Sequence, residues 1–286
     1  MLFIALLVSS IYILPAISAE KPALQFASVA PNAEQQKSFR GTFEPFFRWI
    51  GKNLGRQIEV NYLNQVEEAV TRFKAGQLDY GSAGIVEFFQ IQEQFPVQVI
   101  LTMVKNKKTS YDACFVVNKK HAHCQLKDFK NKKIGYTSFH YAQGGLYPQI
   151  LLLEHGFGNR LEHFFSAVTP YFKDITALYD LILGKLDVCV VSRATLDILA
   201  ETAPGIIQKI HVLYHQDGLM FSPVFVRADM AEDLRAAIVQ KSIEFTKTIE
   251  GKQLLMMFQI DSLAAVSDRE YEKDKKRARR LGFIKQ

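Results

Sequence analysis

The order and spacing of apolar residues predict an α/β protein built as two similar lobes joined by two crossing segments. Three observations carry that expectation. Strand-like apolar runs alternate with amphipathic helical stretches along nearly the whole chain. A helix–turn–strand–helix unit occurs twice, through Gly76-Gln77-Leu78-Asp79 toward Ser82 and through Gly184-Lys185-Leu186-Asp187 toward Ser192. The alternation is broken by a polar segment at residues 105–109, and from Asp217 the chain reads as crossing back through Ser222-Pro223-Val224-Phe225-Val226. The expected lobes are residues 20–104 with 220–286, and residues 105–219.

Residues 24–29 read as the first strand, followed by a loop around Pro31-Asn32-Ala33-Glu34. Phe43, Phe46, Phe47, Ile50 and Leu54 then recur at helical spacing. Residues 57–62 form a second strand, and Val66, Ala69, Val70 and Phe73 stripe the next helix, which Gly76 ends. Tyr80-Gly81 is a short strand, a helix starts at Ile85, and residues 97–104 are a strand. Past the crossing, strands are expected at 111–117 and 133–136, and helices at 145–155 and about 174–183. A strand at 186–191, a helix from Ala194 and a strand at 210–214 follow. The chain closes with helices starting near Met230, Gly251 and Asp268.

The 286 residues, 48% of them hydrophobic, are enough for one large domain or two small ones. Charged residues make up 22% without low-complexity tracts, which argues against disorder. The net charge of +6 is partly local, because Lys273, Lys275, Lys276, Arg277, Arg279 and Arg280 crowd one stretch, expected as a solvated basic helix face rather than a nucleic-acid site. Residues 1–19 carry no charged side chain. An apolar run at 2–14, Pro15 and the small residues Ala16, Ser18 and Ala19 read as a signal peptide cut near Ser18 or Ala19. The missing basic n-region leaves an uncleaved anchor open, although the run is short for a membrane span. No cysteine lies near the cut, so no lipid anchor is expected there.

Export implies an oxidising compartment, yet only Cys114, Cys124 and Cys189 are present, and an odd count leaves at least one thiol unpaired. Cys114 and Cys189 sit in strand-like runs and are expected to be buried, while the spacing admits a Cys114–Cys124 bridge.

Catalytic signatures are missing: there is no G-x-G-x-x-G after a strand, no phosphate-binding G-x-x-x-x-G-K, no G-x-S-x-G elbow and no H-E-x-x-H. His121-Ala122-His123-Cys124 is the nearest approach to a metal cluster and reads as a solvated turn, so no metal and no cofactor are expected. His140, His215 and Asp217 have no assignable nucleophile to serve, so no enzyme is expected. What remains suits binding. Ser82-Ala83-Gly84 precedes a helix, residues 137–145 form a polar and aromatic strand–helix junction, and residues 30–34 follow the first strand. Each is singly an ordinary cap or turn. Their shared place at strand carboxyl ends favours a cleft, where helix amino termini offer free N–H groups. Ser82, Gln143 and Ser192 are expected to donate into it from helix amino termini, with Tyr141 and Phe88 packing on the ligand. Arg193 either reaches an anionic group or points to solvent.

With these residues in hand, the sequence resembles the periplasmic substrate-binding proteins of the phosphate/phosphite/phosphonate ABC-transporter group. The resemblance rests on Gly76-Gln77-Leu78-Asp79 with Gly84 and Phe88, and on Tyr111 opening a strand to Val117. It continues through Leu126-Lys127-Asp128-Phe129-Lys130-Asn131-Lys132-Lys133-Ile134, Gly144 with Pro148, and Gly184-Lys185-Leu186-Asp187. Ser222 to Met230 and a final helix holding Tyr271, Arg279 and Gly282 complete it. The resemblance implies a type II, venus-flytrap fold with two hinge crossings, a periplasmic location, and docking on an inner-membrane permease. Where the family carries a Ser/Thr-rich cradle before its glycine, this chain has Tyr141-Ala142-Gln143 before Gly144. Phe88 stands where a Tyr is common, Asp174 keeps an acidic position, and Lys173 stands where a His is often found. The expected function is delivery of a small oxyanion, phosphonate-like or organic solute to an ABC transporter by a monomer that binds no nucleic acid. The alternative is a ligand-binding module feeding a sensor or another membrane partner, with a more apolar ligand.

Overall fold

The structure is a computed structural model that describes residues 21–29, 33–137, 143–171, 173–258 and 260–285, with only the backbone described at 33–40 and 143–145. The expected signal peptide, the loop at 30–32 and Tyr141 lie outside the described residues.

The first half-chain runs β1 (Leu24–Val29), α1 (Ala33–Leu54), β2 (Ile58–Leu63), α2 (Val66–Lys74), β3 (Tyr80–Ala83), α3 (Ile85–Gln92) and β4 (Val97–Val104). The second sheet's elements are β5 (Ser110–Asn118), β6 (Lys133–Thr137), α4 (Gln143–Glu154), α5 (Leu161–Phe164), β7 (Ala167–Tyr171), α6 (Asp174–Ile182), β8 (Val188–Ser192), α7 (Arg193–Thr202), α8 (Pro204–Ile207) and β9 (Ile210–Met220). The chain then returns through β10 (Val224–Arg227), α9 (Glu232–Phe245), α10 (Ile249–Phe258), β11 (Ser262–Ala265) and α11 (Asp268–Arg280). Among the described residues the strands form two mixed sheets, ordered β11-β4-β10-β3-β1-β2 and β7-β6-β8-β5-β9. In the first, β1 lies parallel to β2 and β3; in the second, β6 lies parallel to β7 and β8. Helices cover both sheets, so the fold is α/β and two-lobed.

The repeated turn is built the same way in each lobe. Gly76 and Gly184 hold left-handed backbone, with φ of +69° and +75°, which ends α2 and α6 at little cost because glycine has no Cβ. Leu78 and Leu186 then enter the core. The Asp79 carboxylate accepts from the Gln25 N–H (2.7 Å) while the Asp79 N–H donates to the Gln25 carbonyl (2.9 Å). Asp187 makes the matching pair with Lys133, at 2.9 and 3.0 Å. Each aspartate thereby locks the start of a neighbouring parallel strand, β1 or β6, against the strand that follows it.

The two sheets are joined at residues 105–109 and 221–223. The first crossing is a tight turn with an isolated Lys105–Lys108 bridge and positive φ at Asn106 and Lys107. Its Lys107 N–H donates to Asp261 (2.9 Å). The second lies beside it: the Phe221 N–H donates to the Thr109 carbonyl (3.5 Å), and Tyr111 and Phe221 rings pack with centroids 5.7 Å apart. α11 braces this second crossing. Its buried Asp274 accepts from the Met220 N–H (2.8 Å) and from Arg277 (2.5 Å), and Tyr271 donates its hydroxyl to the Phe221 carbonyl (2.8 Å). The basic stretch is accordingly only partly a solvated face: Lys273, Lys276 and Arg280 are exposed, but Tyr271, Asp274 and Ala278 are buried. The capping box of Ser267 and Glu270 starts that helix.

Several expectations change. Ala33 already lies in α1 rather than in a loop. β7 and β11 were not expected, and β9 runs on to Met220 instead of ending at Tyr214. The Cys114–Cys124 bridge does not form; Cys114 and Cys189 are buried as free thiols, and Cys124 is a half-buried one. No group of three metal-ligating side chains occurs among the described residues, and Cys124 merely contacts His121 at 3.8 Å. No helix among the described residues is long and apolar enough to cross a membrane.

Candidate functional site

A cavity of about 520 Å³ opens beside the first crossing, at the carboxyl ends of β6 and β8. Its wall is built by strand–helix junctions of the second lobe: Thr137 ends β6, Asp174 begins α6, and Ser192 ends β8 and caps α7. The first crossing contributes Lys105, the second Phe221, and α10 contributes Met257.

Asp174 is the hub. One carboxylate oxygen accepts from the Ser192 N–H (3.1 Å), the Ser192 hydroxyl (2.7 Å) and the Thr195 hydroxyl (2.7 Å), and the other accepts from the Thr137 hydroxyl. The carboxylate lies in the first turn of α6, where the helix dipole favours negative charge. Ser192 in turn accepts from the Thr195 N–H (3.2 Å), an ordinary serine cap of α7. A ring of donors that could hold an external oxyanion therefore converges on an internal carboxylate. Ser192 sits in the site as expected, but its proton goes to Asp174; the expectation that it donates to a ligand is corrected on that ground.

The charge left for a ligand comes from other groups. Among the described residues, four cations line the cavity, Lys105, Lys108, Lys173 and Arg193, against three carboxylates, Asp112, Asp174 and Asp197. Lys108 pairs with Asp112 at 3.0 Å. The side chains of Lys105 and Arg193 make no hydrogen bond or ion pair with another described residue, although both are half-buried. Burial holds the Lys105 ammonium below the ordinary lysine range, while Asp174 and Asp261 pull it partly back. The Tyr111 hydroxyl is buried with no hydrogen-bond partner among the described residues, and its side chain lines the same cavity. A buried phenol left unpaired costs stability unless something else meets it. Among the described residues, Lys105, Tyr111 and Arg193 thus offer two positive charges and a hydroxyl without a hydrogen-bond partner.

Of the residues singled out from sequence, Asp174, Ser192 and Arg193 meet here, and Ser82, Gly84 and Phe88 do not. Gln143 and Gly144 open α4 in backbone; Tyr141 is outside the described residues. Ser82 lies within β3, opposite Ser28 and Val224, so it is a strand residue rather than a helix-terminal donor. Gly84 does cap α3, but the Glu87 carboxylate lies directly over it, and burial lifts that carboxyl above the ordinary glutamate range. The lobe-1 helix terminus is covered by the chain's own acid. Phe88 is corrected outright: it is fully buried, its ring packed on Phe225 (5.2 Å) and Tyr271 (6.1 Å), and cannot pack on a ligand. Sequence reasoning missed Lys105 and Tyr111. A lysine directly after a buried strand, in a segment already recognised as a crossing, was the available signal.

The family model for the phosphonate ABC transporter's periplasmic substrate-binding protein matches residues 28–271. Among solved structures, a binding-protein component of an ABC phosphonate transporter from Pseudomonas aeruginosa is 13% identical, with a TM-score of 0.62 over 93% of this chain and 90% of that one. A Prochlorococcus marinus protein in complex with methylphosphonate is 17% identical, with a TM-score of 0.62 over 92% and 99%. A Xanthomonas citri protein bound to ATP is 11% identical, with a TM-score of 0.66 over 92% and 99%. A search of curated sequences gives no significant match. These likenesses carry the two-lobed fold of type II periplasmic binding proteins, and the family match over most of the length carries membership: the chain belongs to the periplasmic substrate-binding proteins of phosphonate ABC transporters.

Proposed function

We propose that this chain captures a small anionic solute at the crossing between its lobes and presents it, lobes closed, to the permease of an ABC transporter. Residues 20–104 with 220–286 act as one lobe and 105–219 as the other, hinged at the two crossings. The chain works as an exported periplasmic monomer with residues 1–19 as its signal, and it performs no catalysis and binds no nucleic acid. The observation that carries the reading is the cavity of about 520 Å³ in which the side chains of Lys105, Arg193 and Tyr111 have no hydrogen-bond or ion-pair partner among the described residues. A partly desolvated cation without an ion-pair partner is unfavourable, and an anion relieves that cost. Neighbours of the same fold bound to methylphosphonate and to ATP support anion capture and show a wide range of ligand size for that fold.

A thermal-shift screen over oxyanions, phosphonates, sulfonates, organic acids and lipids tests it. A ligand at a hundredfold excess over its Kd adds about 2.7 kcal/mol, or roughly 5 °C for a chain of this size. Hits confined to anions, and lost in Lys105→Met, are expected; a hit list of neutral or cationic solutes contradicts the reading.

A further inference from the structure

The cavity holds more than charge. Ile175, Ile198, Leu199 and Phe221 line it, and Met257 joins them from α10 in the opposite lobe. Met257 and Ile198 are 68% and 55% exposed, a large apolar exposure for residues that share a cavity wall. A volume of about 520 Å³ falls in the range of ~300–1,000 Å³ that encloses drug-sized molecules, far beyond what a one-carbon phosphonate fills. Hydroxyl donors suited to a bare oxyanion are meanwhile spent on Asp174.

From these observations we infer that the ligand is an amphiphilic organic anion, a charged head on an apolar chain. Lys105, Arg193 and Tyr111 meet the head; Ile198, Phe221 and Met257 cover the chain. Because Ile198 stands on α7 and Met257 on α10, an apolar chain between them touches both lobes at once. A bare oxyanion held on the lobe-2 side lacks that bridge, so chain length, as well as charge, favours the closed form. The inference rests on the solute-capture reading and narrows it to a class of ligand.

Isothermal titration of the full chain with methyl-, butyl- and octylphosphonate tests it. Each buried methylene is expected to tighten binding roughly two- to fourfold. Met257→Asp and Ile198→Asp, both at exposed positions that leave folding intact, are expected to abolish the gain with chain length. Lys105→Met is expected to weaken every member at least about tenfold. Affinity that is flat or falls with chain length overturns the amphiphile while leaving solute capture standing. Chain-length dependence that survives both aspartate variants overturns the placement of the chain. Failure of all three phosphonates, together with no anionic hit in the thermal screen, brings down the capture reading as well.

Discussion

Replacing Asp174 with alanine removes the acceptor shared by the Ser192 N–H and by the hydroxyls of Ser192, Thr195 and Thr137. The backbone N–H is the expensive loss. It is fixed by the backbone at the β8–α7 junction, and leaving such a group without its acceptor costs about 1–3 kcal/mol. The three hydroxyls belong to half-buried residues and can turn toward water, so together they add only about 1 kcal/mol. The cap from Ser192 to the Thr195 N–H remains. The sum, about 2–4 kcal/mol, corresponds to a melting temperature roughly 4–8 °C lower for a chain of this length. Differential scanning calorimetry of the ligand-free protein reads it directly. Asp174→Asn should recover about half the loss, since its single oxygen still accepts the N–H while its amide turns donors toward donors. A melting temperature for Asp174→Ala within about 1 °C of wild type would refute the idea that this carboxylate ties β6, β8, α6 and α7 together.

Lys105→Met should melt higher than wild type at pH 7 while losing ligand. At neutral pH the folded and unfolded chains both carry the proton, and the folded chain bears the desolvation cost; that cost fades as pH rises through the lowered folded value toward the ordinary lysine range. The stability margin of the variant should therefore narrow with rising pH, and a variant less stable at pH 7 contradicts the account. Tyr271→Phe removes a buried donor to the Phe221 carbonyl, which Thr102 also meets at a longer 3.5 Å. It should cost about 1–2 kcal/mol in urea unfolding, and an unchanged midpoint counts against α11 bracing the crossing. Thiol titration with Ellman's reagent should find at most Cys124 in the native protein, because burial removes Cys114 and Cys189 from reagent and pushes the Cys114 thiol up to about 11. Rapid native reaction of two thiols contradicts the packing.

Much of the fold was legible because it follows from strong local signals. Val66, Ala69, Val70 and Phe73 form the buried face of α2, and the repeated Gly-x-Leu-Asp turn marks the same structural step in both lobes. The strands that went unread are at sheet edges: Ala167–Tyr171 contains a proline and half-exposed residues, and Ser262–Ala265 is short and weakly apolar, so neither shows the alternation of a half-buried strand. The site was legible in part. Asp174, Ser192 and Arg193 stand at helix starts, which sequence marks well. Phe88 misled because an aromatic on an amphipathic helix looks the same whether it faces a cleft or the core. Lys105 was hidden because its desolvation, and the Asp174 and Asp261 charges that act on it, arise only when segments far apart in sequence come together. Tyr111 looked like any strand-opening residue, since the missing partner of a hydroxyl is visible only in three dimensions.

Capture by closure is the central claim, and small-angle scattering with and without the tightest ligand from the thermal screen tests it most directly. Two lobes hinged at residues 105–109 and 221–223 should draw together on the bound anion, lowering the radius of gyration at saturation, and Lys105→Met should keep the ligand-free value at the same concentration. An unchanged radius in wild type, at a ligand concentration that fully raises the melting temperature, would contradict it.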